Sequence, residues 1–288
     1  MHYHPRTDLA LEIAKTIAPN EENGFTHRTH KTRGIEVFSL SITREEGVRR
    51  FRRPKGQYVT LSFSEESIDA LVEVLSEELA AMLSPYGKIE RLLAVGLGNS
   101  SITADAIGPE TVEMLTVTGH LEAQDGHPKL FAIAPSIIGK TGLESFTLIE
   151  AAKNASRATH VIVIDALAAE STARLYRTVQ LANSGITPGS GVGNHRKAIS
   201  EETLGVPVIA VGVPSVVSSS TLVFRTLEAA GLSALTDEVK DTLQKHEPFF
   251  VTPPDADRLT TMIAAVLANA IHTALLPKGE DREARNPT

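Results

Sequence analysis

The chain has 288 residues, of which 42% are hydrophobic and 22% charged, and a formal net charge of -7. Such a chain can bury a sizeable core in one large domain or two small ones. The acidic balance argues against a nonspecific grip on nucleic acid phosphates, and the absence of cysteine excludes disulfide frameworks, thiol nucleophiles and cysteine-based metal sites, as suits a reducing compartment.

The opening MHYHPRTDLALEIAK contains no apolar run of signal-peptide length. A short amphipathic piece from Asp8 to Ile17 and the polar run PNEENGFTHRTHKTRG make residues 9–33 read as an N-terminal arm ahead of the main fold. GIEVFSLSITR and GQYVTLSFS alternate apolar and polar residues. They predict two antiparallel strands whose tip carries the basic residues between Arg44 and Lys55, a solvated stretch able to meet an acidic partner. SEESIDALVEVLSEELAAMLSPYG predicts a helix, with Ser64 as its cap and Pro85 and Gly87 beyond its end.

From there strand and helix alternate. Strands are expected at Leu92 to Val95, Lys129 to Ala134, Val161 to Ile164 and Val206 to Val213, with helices near residues 105–115, 143–157 and 217–230. Repeated βα units imply an α/β fold, a mixed and largely parallel sheet with helices on both faces. Thr187 to Arg196, TPGSGVGNHR, is too glycine-rich for either element and reads as a loop of special backbone geometry. A helix from Asp255 to Leu276 follows. No fixed-period repeat or low-complexity linker divides the chain, so residues 1–288 read as a single domain. The most apolar stretch, VPVIAVGVPSVV, is broken by Pro207 and Pro214, so no membrane span is expected and the cytoplasm is the simplest location.

Two carboxylates stand out. Asp105 in RLLAVGLGNSSITADAIGP and Asp165 in THVIVIDALAAE follow apolar strand-like runs, which places them at the carboxyl edge of an α/β sheet, where such folds keep their chemistry. Brought together, they would share one proton, leaving one as base and one as acid, and would activate water against a peptide bond. Aspartates also gather at strand-to-helix turns as caps, so position alone leaves both roles open. GLGN (Gly96, Gly98, Asn99) and GSGVGN (Gly189, Ser190, Gly191, Gly193, Asn194) offer backbone N–H groups to a substrate or an oxyanion, or simply make tight turns. Neither has the spacing or setting of a dinucleotide fingerprint, so no cofactor is implied.

Other chemistries leave weaker traces. APSIIGKT, Ala134 to Thr141, fits a loose phosphate-loop pattern and VIVID the acidic strand that accompanies it, although Pro135, Ile137 and Ile138 are poor material for wrapping phosphate. Six of the ten histidines, His2, His4, His27, His30, His120 and His127, are candidates for a metal, but no HExxH motif occurs, so no metal site is assigned. No GxSxG nucleophile turn occurs.

Taken together and in order, GLGNSSITADAIGP, VIVIDALAA, GITPGSGVGNHRKAISEETLGVPVIAVGVPSVV and FFVTPPDAD resemble the germination protease family of spore-forming bacteria, over most of the chain. The resemblance implies an endopeptidase that degrades small acid-soluble spore proteins, which protect DNA, when the spore germinates. It implies Asp105 and Asp165 as the active-site pair of an unusual aspartic-type protease, a fold similar to hydrogenase-maturation proteases, a homotetramer, and a location in the developing spore's cytoplasm. RTDLALE is similar to the site where family zymogens remove their own prosegment, so residues 1–8 would be a short prosegment, cut between Asp8 and Leu9. Gly119 and Glu170 stand where members commonly carry arginine. Two alternatives remain beside this reading: a phosphate-loop-like nucleotide hydrolase, and a noncatalytic binding protein that kept the protease fold.

Overall fold

The computed structural model describes residues 5–14, 24–122, 127–188, 197–232, 236–245 and 249–275. The chain begins with α1 (Ala10–Ala14), then β1 (Phe25–Thr32) and β2 (Ile35–Ile42). Arg33 and Gly34, the two residues between these strands, both have positive φ, 48° and 80°. This left-handed pair matches the strand twist of a tight hairpin. There follow α2 (Glu45–Phe51), β3 (Gly56–Ser62), α3 (Ile68–Leu83), β4 (Arg91–Gly96), α4 (Ile107–Glu113), β5 (Lys129–Ile133), α5 (Ile138–Thr141) and α6 (Ser145–Ser156). The remainder comprises β6 (His160–Ala169), β7 (Thr178–Ala182), α7 (Glu201–Leu204), β8 (Val208–Ser218), α8 (Ser219–Ala229), α9 (Asp237–Lys245), β9 (Phe250–Val251) and α10 (Ala256–Ala274).

One mixed sheet joins the strands in the order β1-β2-β3-β7-β8-β6-β4-β5, with β9 paired to the end of β8. β5, β4, β6 and β8 run parallel; β1, β2, β3 and β7 are antiparallel to their neighbours, and β7 meets β8 antiparallel. The parallel half is the βα alternation legible in the sequence. Its strands run further than expected, β6 to Ala169 and β8 to Ser218.

The expected arm differs most. Residues 25–32 are an edge strand, and Leu9, Ala10, Leu11 and Ala14 are buried. β1 exposes most of its side chains and is held by main-chain pairing with β2, so it lacks the apolar alternation that marks a half-buried strand. The basic tip between β2 and β3 contains α2, which forms because Phe51 inserts into the core edge-on to Phe25, ring centroids 4.9 Å apart.

The two sheet faces are covered differently. On one, α3 presents Leu71, Val74, Leu75, Leu79 and Met82, and α10 presents Leu259, Ile263, Val266, Leu267 and Ile271, in a continuous core with Leu92, Ile162, Ile164, Ile209 and Val211. Both helices show the three-and-four spacing of a core-facing stripe. On the other face the cover is split. Phe146 and Ile149 of α6 pack on Leu93, Val95, Val161, Val163 and Val208. Leu11 of α1 and Phe51 of α2 pack with Phe38, Leu40, Tyr58, Ala182 and Ala210. Between these two patches the sheet is left open, and a cleft of about 1040 Å³ forms there.

Candidate active site

The cleft floor is one rung of the sheet. Asp165 on β6 pairs with Gly212 on β8, and Gly212 pairs with Gln180 on β7. Residues on one rung project to the same face, so Asp165 and Gln180 flank a glycine across two strand spacings, about 10 Å. Asp165 is 9% exposed, and its Oδ1 accepts the N–H of Ala166 at 3.0 Å.

Asp105 reaches the same cleft from the turn after β4. Leu97 continues the β4 pairing by donating its N–H to Ile164 O at 2.8 Å. The chain then folds back. Asn99 N–H donates to the Asp105 carbonyl at 3.1 Å and to its Oδ2 at 2.9 Å, while Asn99 Oδ1 accepts from Ser101 N–H at 3.1 Å. From β8, Ser215 Oγ donates to Ala104 O at 2.6 Å. Gly98 makes the return possible: its φ is +117°, and a Cβ there would lie 2.0 Å from the Asp105 carbonyl oxygen. A Cβ on Gly96 would lie 2.2 Å from Gly108 O. The GLGN glycines therefore permit close backbone approach; the Asn99 N–H is committed to the Asp105 turn and the Leu97 N–H to Ile164 of β6.

The glycine-rich candidates Gly189, Ser190, Gly191, Gly193 and Asn194 lie outside the described residues. Their flanks border the cleft at Thr187, Pro188 and Ala198, tied by reciprocal hydrogen bonds between Ile186 and Ile199 at 2.9 and 2.8 Å.

Glu201 and Glu202 line the cleft as well, and so does Asp8. Its N–H donates to Ala168 O at 2.8 Å, its Oδ2 accepts from Ala168 N–H at 2.9 Å, and its carbonyl accepts from Gln180 Nε2 at 3.0 Å. Glu12 locks the next turn: its carboxylate accepts the N–H groups of Glu170 at 2.8 Å and Ser171 at 3.1 Å and the hydroxyl of Thr7. Arg52, Arg53 and Lys55, which follow α2, also line the cleft. Sequence reasoning did not single out Gln180 or Glu12; the trace they leave is a polar side chain inside an apolar run, TVQLA and LALEIA. Among the described residues no cluster of three or more metal-ligating side chains occurs.

The sequence model for germination protease matches residues 8–246. The chain belongs to the germination protease family. Germination proteases of Clostridium acetobutylicum and Bacillus subtilis are 33% and 34% identical to it, over 94% and 96% of this chain and 95% and 94% of theirs. That of Priestia megaterium is 39% identical over 78% of this chain and 67% of its own. A [NiFe] hydrogenase maturation protease, HycI of Thermococcus kodakarensis, overlaps 66% of this chain and 98% of its own with 16% identity and a TM-score of 0.35, too loose a likeness to carry residue roles. Family membership makes the protein a protease.

Glu170, Gly119 and the APSIIGKT segment each have a local setting. The Glu170 carboxylate is paired with Arg225, which also holds Glu228, so the negative charge is answered from α8. Gly119 packs under Phe131, whose ring atom would lie 2.2 Å from an added Cβ; a larger residue needs that ring to move. The APSIIGKT segment does not build a phosphate cradle. The helix after it, α5, lasts four residues before Gly142 turns it left-handed, Lys140 Nζ donates to Ser101 Oγ at 2.6 Å, and the Thr141 hydroxyl is directed at Ile137 O and Leu143 O. Among the described residues no helix is long and apolar enough to cross a membrane.

Proposed function

We propose that this chain is a spore endopeptidase, made as a self-processing zymogen, that cleaves small acid-soluble spore proteins in the spore cytoplasm during germination and works as a homotetramer. The catalytic pair is Asp105 and Asp165. One carboxylate takes a proton from water as its oxygen adds to the peptide carbonyl carbon; the other carboxyl protonates the departing nitrogen as the C–N bond breaks. The observation that carries this reading is the presence of both aspartates in the lining of one cleft, Asp165 on the rung just past the end of β4 and Asp105 in the turn that follows β4. The main chain around Asp8 and Leu9, the prosegment bond, lies at that cleft.

The test is incubation of the protein with a purified small acid-soluble spore protein, with the fragments identified by mass spectrometry. Cleavage at a few defined bonds supports the assignment. Binding of the substrate without cleavage by a folded protein that has lost residues 1–8 would favour the noncatalytic reading.

A further inference from the structure

The side-chain amide of Gln180 spans the Asp8–Leu9 bond. Its Oε1 accepts the N–H of Ala10 at 2.7 Å, and its Nε2 donates to the carbonyl oxygen of Asp8 at 3.0 Å. The Ala10 N–H can only donate, so it fixes which end of the amide is oxygen and leaves the NH₂ aimed at the carbonyl. Gln180 is 7% exposed and shares the Asp165 rung across Gly212. The group that carries the Asp8 carbonyl is itself held on its other side by Ala168, through Asp8 N–H and Oδ2.

We propose that Gln180 is the oxyanion-stabilising donor of this protease, a catalytic residue that bonds the carbonyl oxygen of the bond being cut. The inference rests on the reading of Asp8–Leu9 as the bond the chain cuts in itself. When water oxygen adds to the Asp8 carbonyl carbon, the carbonyl π pair moves onto the oxygen facing Gln180 Nε2. The water proton passes to one carboxylate of the aspartate pair. The oxyanion then reforms the carbonyl and expels the Leu9 nitrogen, which receives a proton from the other carboxyl group. A fixed, buried amide strengthens its hydrogen bond as charge grows on the oxygen, without having to reorient. The GLGN loop is the poorer source of such donors, because Leu97 N–H and Asn99 N–H already hold Ile164 and Asp105.

Full-length parent, Gln180→Met and Gln180→Glu are incubated under one condition. Release of residues 1–8 is followed by intact-protein mass spectrometry, and melting temperature is recorded. Glu at this position keeps an acceptor for Ala10 N–H while removing the donor to Asp8 O, so it serves if Gln180→Met does not fold. Loss of one such donor slows the reaction by about 100-fold or more, and both variants are expected to show this while folded at the assay temperature, with melting lowered because the Ala10 N–H or the Asp8 carbonyl loses its partner. Chains matured by added parent enzyme and repurified are then tested on a peptide substrate. The loss should fall on kcat with KM within about threefold, whereas an amide that only anchors substrate would raise KM and spare kcat. A folded variant that processes at the parent rate overturns the role of Gln180 and leaves the Asp8–Leu9 reading standing. A parent that never releases residues 1–8 removes both.

Discussion

Gly98→Ala is a backbone test of how Asp105 is placed. The added Cβ would sit 2.0 Å from the Asp105 carbonyl oxygen and 3.1 Å from its Oδ1, and φ at this residue is +117°. Restoring an ordinary contact of 3.4 Å moves the carbonyl by roughly 1.4 Å, which strains both Asn99 N–H bonds to Asp105. Backbone strain of about 1–3 kcal/mol and about 1 kcal/mol for each weakened hydrogen bond give a loss of about 3–5 kcal/mol. A catalytic group misplaced by about 1 Å costs on the order of 100-fold in rate. Gly87→Ala is the control: φ there is +89°, but nothing lies within 4 Å of the added Cβ, and the residue precedes β4 at the far end from the cleft. It should lose stability by strain alone and keep parent activity. Peptide cleavage is measured well below both melting temperatures, with circular dichroism confirming the fold. Parent-like activity in Gly98→Ala, or equal inactivation of the two variants, would refute the argument.

Glu12→Ala removes the buried carboxylate that accepts from the half-buried Glu170 N–H and from the N–H of the exposed Ser171, and should cost about 2 kcal/mol in urea unfolding, since water can reach part of what is lost; Glu12→Gln should recover part of it, and a loss below about 0.5 kcal/mol would contradict the assigned contacts. His160 is 2% exposed, its Nε2 has no partner among the described residues, and burial lowers its pKa against a smaller upward pull from the Tyr86 backbone. The unfolded chain therefore takes up the proton first as pH falls below the ordinary value of 6.5. The histidine's contribution is fully present above that pH and is lost as pH falls through the depressed folded-state value. His160→Phe should flatten the dependence of the urea midpoint on pH below neutrality, and parallel curves for the two proteins would rule this out.

Asp105 and Asp165 were legible because each follows an apolar strand-like run, a position that favours the sheet edge; both do line one cleft, but Asp165 lies inside β6, which continues to Ala169, and Asp105 in the turn beyond β4. Gln180 was not legible, because its significance lies in register: only pairing through Gly212 puts it on the Asp165 rung, and β7 is five residues long without a turn motif at its start. The N-terminal segment misled for a related reason. LALEIA is short and β1 is polar, so local pattern suggested an arm, whereas Leu9 and Ala10 are wholly buried and Glu12 ties into the end of β6. Long-range hydrogen bonds of this kind leave no period in the sequence. The GKT motif erred in the other direction, a good local match whose loop and four-residue helix serve a different geometry.

Cleavage of a small acid-soluble spore protein in excess chelator, with the parent beside Asp105→Asn and Asp165→Asn, separates a metal-free aspartate pair from every metal-dependent alternative. Each substitution keeps side-chain shape while removing a carboxylate that can carry a proton. Discrete fragments from the parent and a loss of about 1000-fold or more in each folded variant are expected, since the two groups act as a unit. Parent-like cleavage by either variant, or cleavage that disappears in chelator and returns with added metal, would contradict the metal-free pair.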